Sequence, residues 1–393
     1  MTNAKPTICL IAGEESGDQL GSELIKAIDK RLGQGVRYCG VGGERMTVLG
    51  LRSFFDMSDI SVMGLSAVFA RLPLIIKRVY QTVDAAIAAN PDVIVIIDSP
   101  DFTHNVAKRI RKRAPSIPIV GYVSPSVWAW RPGRAKKMSA YVDELLALLP
   151  FEPAVHEKLG GPKTHYVGHP LIEKVDELRP KGEERKPLDQ GGRTLVVLPG
   201  SRRGEIDRLL DAFGETVALV KKRVPDLEVI LPAVPHLEDR IQAGVKDWEV
   251  QPRIVLGLEA KKAAFREANA ALAASGTVCL ELALSRVPMV VAYKVDWMVL
   301  VLKQVNKIVK QANFDSFVLP NIILGNRPIP AYLDDDVQPG SLAAHLVNLL
   351  AETPERQTQL AELARLDDVM RLPDGHSQSA AAADVVIGCL KTA

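Results

Sequence analysis

Short apolar segments, each followed by a turn and a helical pattern, recur in two successive series along this chain. The clearest is Val93–Ile97 (VIVII), which has no polar residue and therefore predicts a strand of a parallel sheet covered on both faces. Parallel neighbours require crossover connections, so the alternation with helices restricts the fold to the α/β class. We predict two doubly wound domains that face a cleft. The predicted strands are Ile8–Ala12, Val36–Val41, Val93–Ile97, Ile117–Val123 and Val142–Leu148 in the first series, and Leu195–Leu198, Glu228–Leu231, Arg253–Leu256, Ala270–Ala273 and Met289–Tyr293 in the second.

The length of the chain and a change of composition divide it. With 393 residues the chain exceeds one ordinary core, which favours two domains. Between Asp176 and Arg193 the residues are mostly Lys, Glu, Arg, Gly and Pro, which predicts a linker or a surface excursion near the boundary. We place the first domain at residues 1–170 and the second at residues 171–365. The pattern from Pro339 to Leu390 predicts helices.

Charge and cysteine spacing exclude several classes of protein. Lys and Arg number 49 against 47 Asp and Glu, and aromatic residues are few, so we expect no nucleic-acid partner. Cys9, Cys39, Cys279 and Cys389 form no CxxC pair, which predicts reduced thiols in a cytosolic protein, without a disulfide framework or a bound metal. No apolar run approaches the ~18 residues of a membrane span, and no signal peptide is visible.

The most specific local pattern is Thr194–Arg208, with the sequence TLVVLPGSRRGEIDR. A buried strand ends at a turn that contains Gly200, and a helix follows with Ser201 as its predicted N-cap. Free backbone N–H groups and the helix dipole then converge beside Arg202 and Arg203, which predicts a phosphate or diphosphate site. The alternative is an ordinary strand–helix junction with two solvated arginines.

A similar junction follows the predicted strand Ala270–Ala273. Small residues in its turn let a ligand approach the backbone, and Ser275, Gly276 and Thr277 can hold a phosphate. Glu281 lies about one helical turn further, where a carboxylate can accept hydrogen bonds from both hydroxyls of a ribose. The alternative for Glu281 is a surface glutamate stabilised by the helix dipole.

Two carboxylates follow the strand Val93–Ile97. Asp98 lies at the strand tip, at the edge of an open α/β sheet where ligands bind, and is the better candidate for a general base. Asp101 is better suited to capping the next helix, since aspartate is favoured there. We interpret Asp98 as the base and keep Asp101 as the alternative.

Two glycine- or tryptophan-rich loops follow other strands of the first series. The loop after Ile117–Val123 carries Trp128 and Trp130, which is typical of a binding surface. Its rings either stack under a sugar or pack against the following helix. The sequence GVGG at 40–43 predicts a tight turn, and a dinucleotide site is the weaker alternative because the full G-x-G-x-x-G is absent.

Two apolar stretches, at 60–89 and 296–311, carry interleaved basic residues. The first predicts two core-facing helices broken at Pro73, and the second predicts an amphipathic helix. Each has an alternative interpretation as an apolar surface with basic residues that contacts an anionic membrane or acyl chains.

Six motifs in order resemble the lipid-A-disaccharide synthases, a family of the GT-B glycosyltransferase superfamily. The resemblance covers nearly the whole chain, and its most distinctive motif is VSPSVWAWR at 123–131. It implies two Rossmann-like domains of the GT-B type, with residues 366–393 packing back on the first domain. The other motifs are IAGE and SGD at 11–14 and 16–18, DSPDF at 98–102, LPGSR at 198–202, ASGT at 274–277 with Glu281, and LPN at 319–321.

The resemblance implies an inverting transfer that needs no metal and no other cofactor. UDP-2,3-diacylglucosamine would donate its sugar to 2,3-diacylglucosamine 1-phosphate, which gives a β-1,6-linked disaccharide 1-phosphate and UDP in lipid A biosynthesis. The acceptor carries acyl chains, so the resemblance also implies a protein at the cytoplasmic face of the inner membrane. It leaves a homodimer open.

The resemblance also implies roles for individual residues. Asp98 would take the proton of the acceptor hydroxyl, Arg202 and the helix N-terminus would stabilise departing UDP, and Glu281 would hold its ribose. Asn321 would orient the donor, and Gly13, Ser16, Gly17 and Asp18 would shape the acceptor side. The residues assigned to substrate binding are Gly13, Ser16, Gly17, Asp18, Ser124, Trp128, Trp130, Gly200, Ser201, Arg203, Ser275, Gly276, Thr277 and Asn321.

Three other functions compete with this one. A related enzyme on another UDP-sugar, such as a peptidoglycan-precursor transferase or a UDP-sugar 2-epimerase, would share the fold but is disfavoured by the tryptophan loop and the apolar stretch. A non-catalytic UDP- or lipid-binding protein would bind UDP without turnover. A nicotinamide oxidoreductase is disfavoured because the first strand is not followed by G-x-G-x-x-G.

Overall fold

The computed structural model describes residues 5–33, 35–61, 65–295, 317–372 and 375–390. The chain divides into two compact units, Met1–Pro170 with Leu372–Ala393, and Leu171–Arg371. Each unit has its own parallel sheet covered by helices. This confirms the predicted α/β class with two doubly wound domains.

The first unit contains a seven-stranded parallel sheet in the order β3-β2-β1-β4-β5-β6-β7. Its strands are β1 (Thr7–Ala12), β2 (Arg37–Val41), β3 (Arg52–Ser53), β4 (Val93–Ile97), β5 (Ile119–Tyr122), β6 (Glu144–Ala147) and β7 (Lys163–Tyr166). Its helices are α1 (Glu15–Leu32), α2 (Glu44–Val48), α3 (Leu65–Ala88), α4 (Pro100–Arg113), α5 (Gly133–Met138) and α6 (Glu152–Lys158).

The second unit contains a six-stranded parallel sheet in the order β10-β9-β8-β11-β12-β13. Its strands are β8 (Thr194–Leu198), β9 (Glu228–Ala233), β10 (Arg253–Leu256), β11 (Ala270–Ala274), β12 (Met289–Tyr293) and β13 (Ala331–Leu333). Its helices are α7 (Pro170–Glu173), α8 (Val175–Leu178), α9 (Arg203–Arg223), α10 (Glu238–Val245), α11 (Leu258–Glu267), α12 (Val278–Leu284), α13 (Leu319–Leu324), α14 (Pro339–Leu349) and α15 (Pro354–Met370). The last described helix, α16 (Gln378–Gly388), belongs to the first unit.

The order of the strands reverses once in each sheet. In the first sheet the reversal lies between β1 and β4, and in the second it lies between β8 and β11. The loops that leave such a pair of strands turn away to opposite sides, which opens a crevice at the carboxyl ends. Each unit therefore has one crevice in which a ligand can bind.

β4 shows why these strands are apolar throughout. Val93, Val95 and Ile97 pack with α1 on one face of the sheet, whereas Ile94 and Ile96 pack with α3 and α4 on the other. All five side chains are buried because helices cover both faces. This confirms the interpretation of VIVII as a central parallel strand.

The chain returns to the first unit at its end. Ala382, Ala383 and Val386 of α16 are buried in the same core as α1 and β1. Arg31 of α1 donates to a carboxylate oxygen of Asp384 at 2.7 Å. The prediction that the last helix packs on the first domain is confirmed.

The ten predicted strands are all present, each within two residues of its predicted ends. The strands β3, β7 and β13, which were not predicted, lie at the edges of their sheets. β3 has only two residues, and β7 is Lys163–Tyr166 (KTHY) with no fully buried side chain. Edge strands with few buried positions lack the apolar signal that identified the central ones.

Three predicted boundaries were wrong. The sequence predicts a turn at Gly13–Asp18 and a helix from Gln19 to Leu32, whereas α1 begins at Glu15, so part of the predicted turn forms the first helical turn. α3 is continuous, although Pro73 was predicted to break it. Pro73 is exposed, so water can hydrate the carbonyl that loses its N–H partner. The sequence also predicts a loop at 314–324, and the described part of that segment contains the helix α13.

The hydrophilic segment 176–193 is a surface excursion of the second unit and not a free linker. Arg185 donates to the backbone oxygens of Phe265, Ser285 and Arg286 at 2.7–2.9 Å. These bonds fix the segment against its own unit. The amphipathic helix predicted at 296–311 lies outside the described residues. Among the helices that the structure describes, none is long and apolar enough to cross a bilayer.

Candidate functional site

Asp98 lies directly after β4, at the crevice of the first sheet. Its φ of 51° and that of Ser99, 43°, are left-handed, which costs a non-glycine residue energy. Thr103 holds the turn by donating to the backbone oxygens of Asp98 and Ser99. Strain of this kind at a strand tip is typical of a functional residue held in place by its surroundings.

Two donors orient the carboxylate of Asp98. The backbone N–H of Ser99 donates to one oxygen at 2.8 Å, and the hydroxyl of Ser16 donates to the other at 3.3 Å. Ser16 belongs to the first turn of α1, so the strand tips of β1 and β4 contribute to one cluster. The structure thus brings together the predicted residues Ser16 and Asp98.

Two glycines allow α1 to lie this close to β4. A Cβ at Gly13 would lie 2.5 Å from the Cβ of Ser99, and one at Gly17 would lie 3.3 Å from the backbone oxygen of Ile97. A side chain at Gly13 would clash with Ser99, and one at Gly17 would require its neighbours to shift slightly. Gly13 and Gly17 therefore shape the site through close packing and carry no reactive group.

Glu14, which sequence reasoning did not assign to the site, lies beside Asp98. Burial and the neighbouring Asp98 carboxylate both raise the pKa of Glu14 above its usual range. The two carboxylates repel each other when both are ionised, so the pair places a second acidic group beside Asp98. The signal that could have found it is its position in the motif IAGE, immediately after the first strand.

Asp18 is buried, 2% exposed, and faces the neighbouring turn of the chain. Its carboxylate accepts from the backbone N–H groups of Gly43, Arg45 and Met46 at 2.7–3.2 Å. It thereby occupies the N-terminus of α2 that follows GVGG. A dinucleotide phosphate would need those same donors, so the tight-turn interpretation of GVGG fits the structure.

Asp101 differs from Asp98 in its surroundings. Its side chain is fully exposed in the first turn of α4, and the N-cap position belongs to Ser99. The helix cap expected for Asp101 is therefore not formed. Asp98, in contrast, lines a cavity of about 290 Å³ together with His104, Ser124, Trp130 and Arg134.

The tryptophan loop is fixed from beneath by buried polar groups. Ser124 Oγ lies 2.8 Å from Nε2 of His156, and Trp128 donates from Nε1 to Glu152 at 3.2 Å. Burial lowers the pKa of His156 to about 4 and raises the pKa of Glu152 to about 7. Val123, which begins the loop, has a φ of 76°, a strained value for a β-branched residue.

The two tryptophans of the loop behave differently. Trp128 packs edge-on against Phe151, with 5.4 Å between ring centroids. Trp130 is 58% exposed, and the guanidinium of Arg131 lies 4.0 Å from its ring centroid. Trp128 is therefore a packing residue, although it packs at the N-terminus of α6 and not against α5, the helix that follows the loop, whereas Trp130 presents a ring surface at the cavity that contains Asp98.

The crevice of the second sheet is a cavity of about 550 Å³. The loop after β8 and the loop after β11 both line it, as expected for the two strands at the reversal. Seven of the predicted residues line this cavity. Arg203, which was also predicted, is exposed and does not line it. The predicted residues that line it are Gly200, Ser201, Arg202, Ser275, Gly276, Thr277 and Glu281.

The N-terminus of α9 is capped by a carboxylate of its own chain. Glu205 accepts from the backbone N–H groups of Ser201 and Arg202 at 3.1 and 3.3 Å. Arg202 is the N-cap, not Ser201 as predicted, and its guanidinium lies 2.9 Å from Glu205. The backbone N–H groups that were expected to be free for a phosphate are therefore bonded to Glu205. Glu205 is the third residue of the helix, a position from which a glutamate side chain commonly reaches back to the N-terminal N–H groups.

Gly200 makes this cap possible. Its φ of 122° is strained for any other residue, and a Cβ there would lie 2.6 Å from the Cβ of Glu205. The turn is thus built for close approach of a group to the backbone, here the side chain of Glu205.

Glu281 forms an ion pair in the same cavity. Its carboxylate lies 2.6 Å from Nζ of Lys261, a residue of α11 that sequence reasoning missed. Both side chains are largely buried, which strengthens the pair relative to a surface one. Glu281 is therefore not the dipole-stabilised surface glutamate that was the alternative interpretation. Nothing in the local sequence connects Lys261 to Glu281, since the two lie on different helices.

Two predicted donor residues make hydrogen bonds within the protein. Ser275 donates from Oγ to the backbone oxygen of Phe317 at 2.9 Å. Asn321 is 2% exposed, and its amide pairs with the backbone N–H and C=O of Ile329 at 3.1 and 2.9 Å. Asn321 does not line the cavity, so its role toward a donor stays a prediction.

The fold and the two crevices define a class of protein. Solved structures with this fold include the glycotransferase of kitacinnamycin, with a TM-score of 0.60 and 17% identity, covering 98% of this chain and 99% of that one. Acinetobacter baumannii MurG gives a TM-score of 0.57 at 13% identity, covering 98% and 99%. A UDP-GlcNAc 2-epimerase from Neisseria meningitidis gives 0.61 at 11%, covering 98% and 100%. The chain has the GT-B fold.

Sequence similarity narrows the class to one family. The family model described as lipid-A-disaccharide synthetase matches residues 8–385. The lipid-A-disaccharide synthase of Rhodopseudomonas palustris strain HaA2 is 50% identical over 99% of this chain and 98% of its own. That of Nitrobacter winogradskyi is also 50% identical, over 99% and 97%. The chain belongs to the lipid-A-disaccharide synthase family and is a glycosyltransferase, as the resemblance implied.

Proposed function

We propose that this protein condenses UDP-2,3-diacylglucosamine with 2,3-diacylglucosamine 1-phosphate to the β-1,6-linked disaccharide 1-phosphate and UDP. The observation that carries the proposal is the cavity at the reversal of the second sheet. Its volume of about 550 Å³ is in the range of small-molecule sites. Its lining includes a helix N-terminus, Arg202 and the largely buried carboxylate of Glu281. That combination suits a nucleoside diphosphate.

The donor is held by its nucleotide. The carboxylate of Glu281 accepts from the ribose hydroxyls, and Lys261 fixes that carboxylate in place. The diphosphate lies over the N-terminus of α9, where Arg202 balances the charge that develops on the leaving group. Glu205 already occupies two of the donors there, so a bound diphosphate shares or displaces its carboxylate.

Asp98 is the general base. The 6-hydroxyl oxygen of the acceptor attacks C1 of the donor sugar from the face opposite the diphosphate. The bond between C1 and the phosphate oxygen breaks, UDP leaves, and the hydroxyl proton passes to Asp98. Attack from that face inverts the anomeric centre. The hydrogen bonds of Asp98 with Ser16 and Ser99 support its role as the base, because they hold its carboxylate at the edge of the cavity.

The first unit meets the cytoplasmic face of the inner membrane through α3. Leu72, Ile76 and Tyr80 are 42%, 49% and 52% exposed and recur at every fourth residue, so they form one apolar stripe. Arg71 and Lys77 are exposed beside it. An apolar stripe with cations at its edge suits an anionic lipid surface, which also supplies both lipid substrates.

The experiment that tests the proposed reaction is UDP release by the purified full-length protein. The diacylated UDP-glucosamine donor is supplied with and without the diacylated sugar 1-phosphate, in the presence of EDTA. Acceptor-dependent release that survives EDTA supports an inverting transfer without a metal. Donor binding without release under any of these conditions refutes the reaction and leaves a UDP-binding protein.

A further inference from the structure

A second cavity of the first unit adjoins the one that contains Asp98. It has a volume of about 450 Å³ and lies between α4 and the segment that leads into α5. Pro100, His104 and Arg134 line both cavities, so the two form adjacent compartments of one surface. The reaction as written uses only the compartment of Asp98.

The second compartment is strongly cationic. Four cations line it, and we call them the basic cluster: Lys108, Arg131, Arg134 and Lys137. Asp101 is the single carboxylate among the described residues of its lining, and its side chain is fully exposed 3.9 Å from Arg134. One exposed carboxylate at that distance cannot balance four cations.

The cations of the cluster act on one another. Lys108 is partly buried, and this burial, with the charges of Arg134 and Lys137 among others, lowers its pKa below the usual range. Burial, Arg134 and Lys108 lower the pKa of His104 to about 4, which keeps this shared wall of the two cavities neutral. Like charges gathered around a cavity are relieved when an anion binds within it.

Two other cations of α4 form ion pairs within the fold. Arg111 is paired with Asp143, and Arg113 lies 2.5 Å from Asp84. Lys108 instead faces the ring of Tyr141 at 5.2 Å, and Arg131 faces the ring of Trp130. Arg134 and Lys137 lie three residues apart on α5, so they present their charges on one side of it. The fold thus leaves this cluster in reach of a ligand.

We propose that the basic cluster is the subsite for the phosphate monoester of the sugar acceptor. This inference rests on the proposed function, in which the acceptor carries its phosphate on C1 and its reacting hydroxyl on C6. In the pyranose ring these two groups are carried by C1 and, through C6, by C5, the two ring carbons that flank the ring oxygen, so they extend from neighbouring parts of the sugar. The two adjacent compartments fit these two groups, because the one with Asp98 can receive the hydroxyl and the one with four cations can receive the phosphate. Two arginine forks and two lysine charges suit the three oxygens of a terminal phosphate.

The decisive measurement compares two acceptors that differ only in the C1 phosphate. Initial rates are measured for the full-length protein and for Lys137→Ala and Lys108→Ala with each acceptor. Loss of one charge-assisted contact is expected to raise KM for the phosphorylated acceptor about tenfold or more. KM for the donor and the rate with the dephosphorylated acceptor should change less than about twofold, since neither uses the contact.

A matched control and a rescue variant exclude a general effect of charge. Lys136 is the neighbour of Lys137 on α5, is exposed, and does not line the cavity. Lys136→Ala should leave both acceptors unaffected, and Lys137→Arg should restore the preference for the phosphorylated one. If Lys137→Ala and Lys108→Ala keep the full preference for the phosphorylated acceptor, the subsite is refuted while the proposed reaction stands.

Direct binding separates this inference from the reaction and from the membrane. Titration with glucosamine 1-phosphate, inorganic phosphate and phosphatidylglycerol vesicles needs no turnover. Binding of the sugar phosphate that is lost in Lys108→Ala and Lys137→Ala, but not in Lys136→Ala, supports the subsite even if UDP is never released. If the two variants lose only vesicle binding, the cluster recognises lipid headgroups and the inference is wrong. If inorganic phosphate binds but the sugar phosphate does not, it is wrong as well.

Discussion

Asp98 is the residue whose surroundings distinguish it most clearly from its alternatives. Its left-handed backbone, its two hydrogen-bond donors and the adjacent Glu14 all constrain one carboxylate at the edge of a cavity. Asp101, three residues later, is exposed in the first turn of a helix. These contacts distinguish the surroundings of the two carboxylates, and the role of Asp98 as the base stays a prediction.

Asp98→Asn should remove most turnover without unfolding the protein. Loss of a positioned general base costs about 10²- to 10⁴-fold in rate. Asparagine keeps the shape, its Oδ1 accepts from the backbone N–H of Ser99, and its Nδ2 donates to the hydroxyl of Ser16 with the direction of that bond reversed, so the thermal midpoint and the Kd for UDP should stay near wild type. The measurement is kcat together with UDP binding by calorimetry. Asp101→Asn is the matched control and should retain turnover. Near-normal turnover in Asp98→Asn would exclude it as the base.

His156 predicts how the first unit responds to acid. Its pKa is lowered to about 4 by burial, so the folded state binds its proton less readily than the unfolded state does. The stability that this gives is present above the ordinary pKa near 6.5 and is lost as pH falls toward 4. Between pH 7 and pH 5 we expect a loss of about 2 kcal/mol from this residue.

His156→Gln should reduce that pH dependence. Glutamine keeps a polar group near Ser124 but does not titrate, so the free energy of unfolding should fall less between pH 7 and pH 5 than in wild type. Urea unfolding followed by tryptophan fluorescence measures both values. His236→Gln, at an exposed position of the second unit, is the control for the substitution itself. Equal slopes in wild type and His156→Gln would contradict the assignment.

At the scale of elements, the N-terminus of α9 shows how a helix end is prepared for an anion. Glu205 supplies a carboxylate to the first N–H groups, which stabilises the helix in the absence of a ligand. The same negative charge lies where a diphosphate would bind. In the proposed donor complex a diphosphate would therefore share or displace the carboxylate of Glu205.

Glu205→Gln should strengthen UDP binding several-fold. The amide oxygen still accepts from Ser201, and glutamine at this helical position preserves the cap, but the repulsion between carboxylate and diphosphate is removed. Calorimetric titration with UDP measures the effect, and uridine, which has no phosphate, should bind the variant as it binds wild type. Weaker UDP binding in Glu205→Gln would show that the carboxylate helps to hold the site open.

At the scale of the whole molecule, two sheets with one reversal each explain the distribution of functional residues. Both cavities that carry predicted site residues lie at the carboxyl edges next to those reversals. α3 adds a surface that no enzyme chemistry requires, since its apolar stripe points away from the core. A protein that handles lipids would use such a surface to reach them.

Replacing Leu72, Ile76 and Tyr80 together with serine should weaken binding to anionic vesicles about tenfold or more. The stripe is already exposed, so thermal stability should change little. Vesicle co-sedimentation measures the binding. The control carries serine at Leu32, Val48 and Leu219, three exposed apolar residues on other helices. Equal vesicle binding by the two triple variants would refute α3 as the membrane contact.

Local sequence determined the central elements of this protein. The strands at the middle of each sheet are apolar on both faces, so they could be predicted within two residues, and the motifs that follow β4, β5, β8 and β11 contain ten predicted residues that line the two cavities. These features are local because each depends on a few consecutive residues.

Tertiary structure decided which side chains meet. The ion pair of Lys261 with Glu281, the proximity of Glu14 to Asp98, and the contact of His156 with Ser124 join residues that are distant in the sequence or lack a local pattern. The basic cluster is likewise assembled from α4 and the start of α5. Such sites depend on how helices pack on a sheet, and packing sums many weak contacts that no short segment encodes alone.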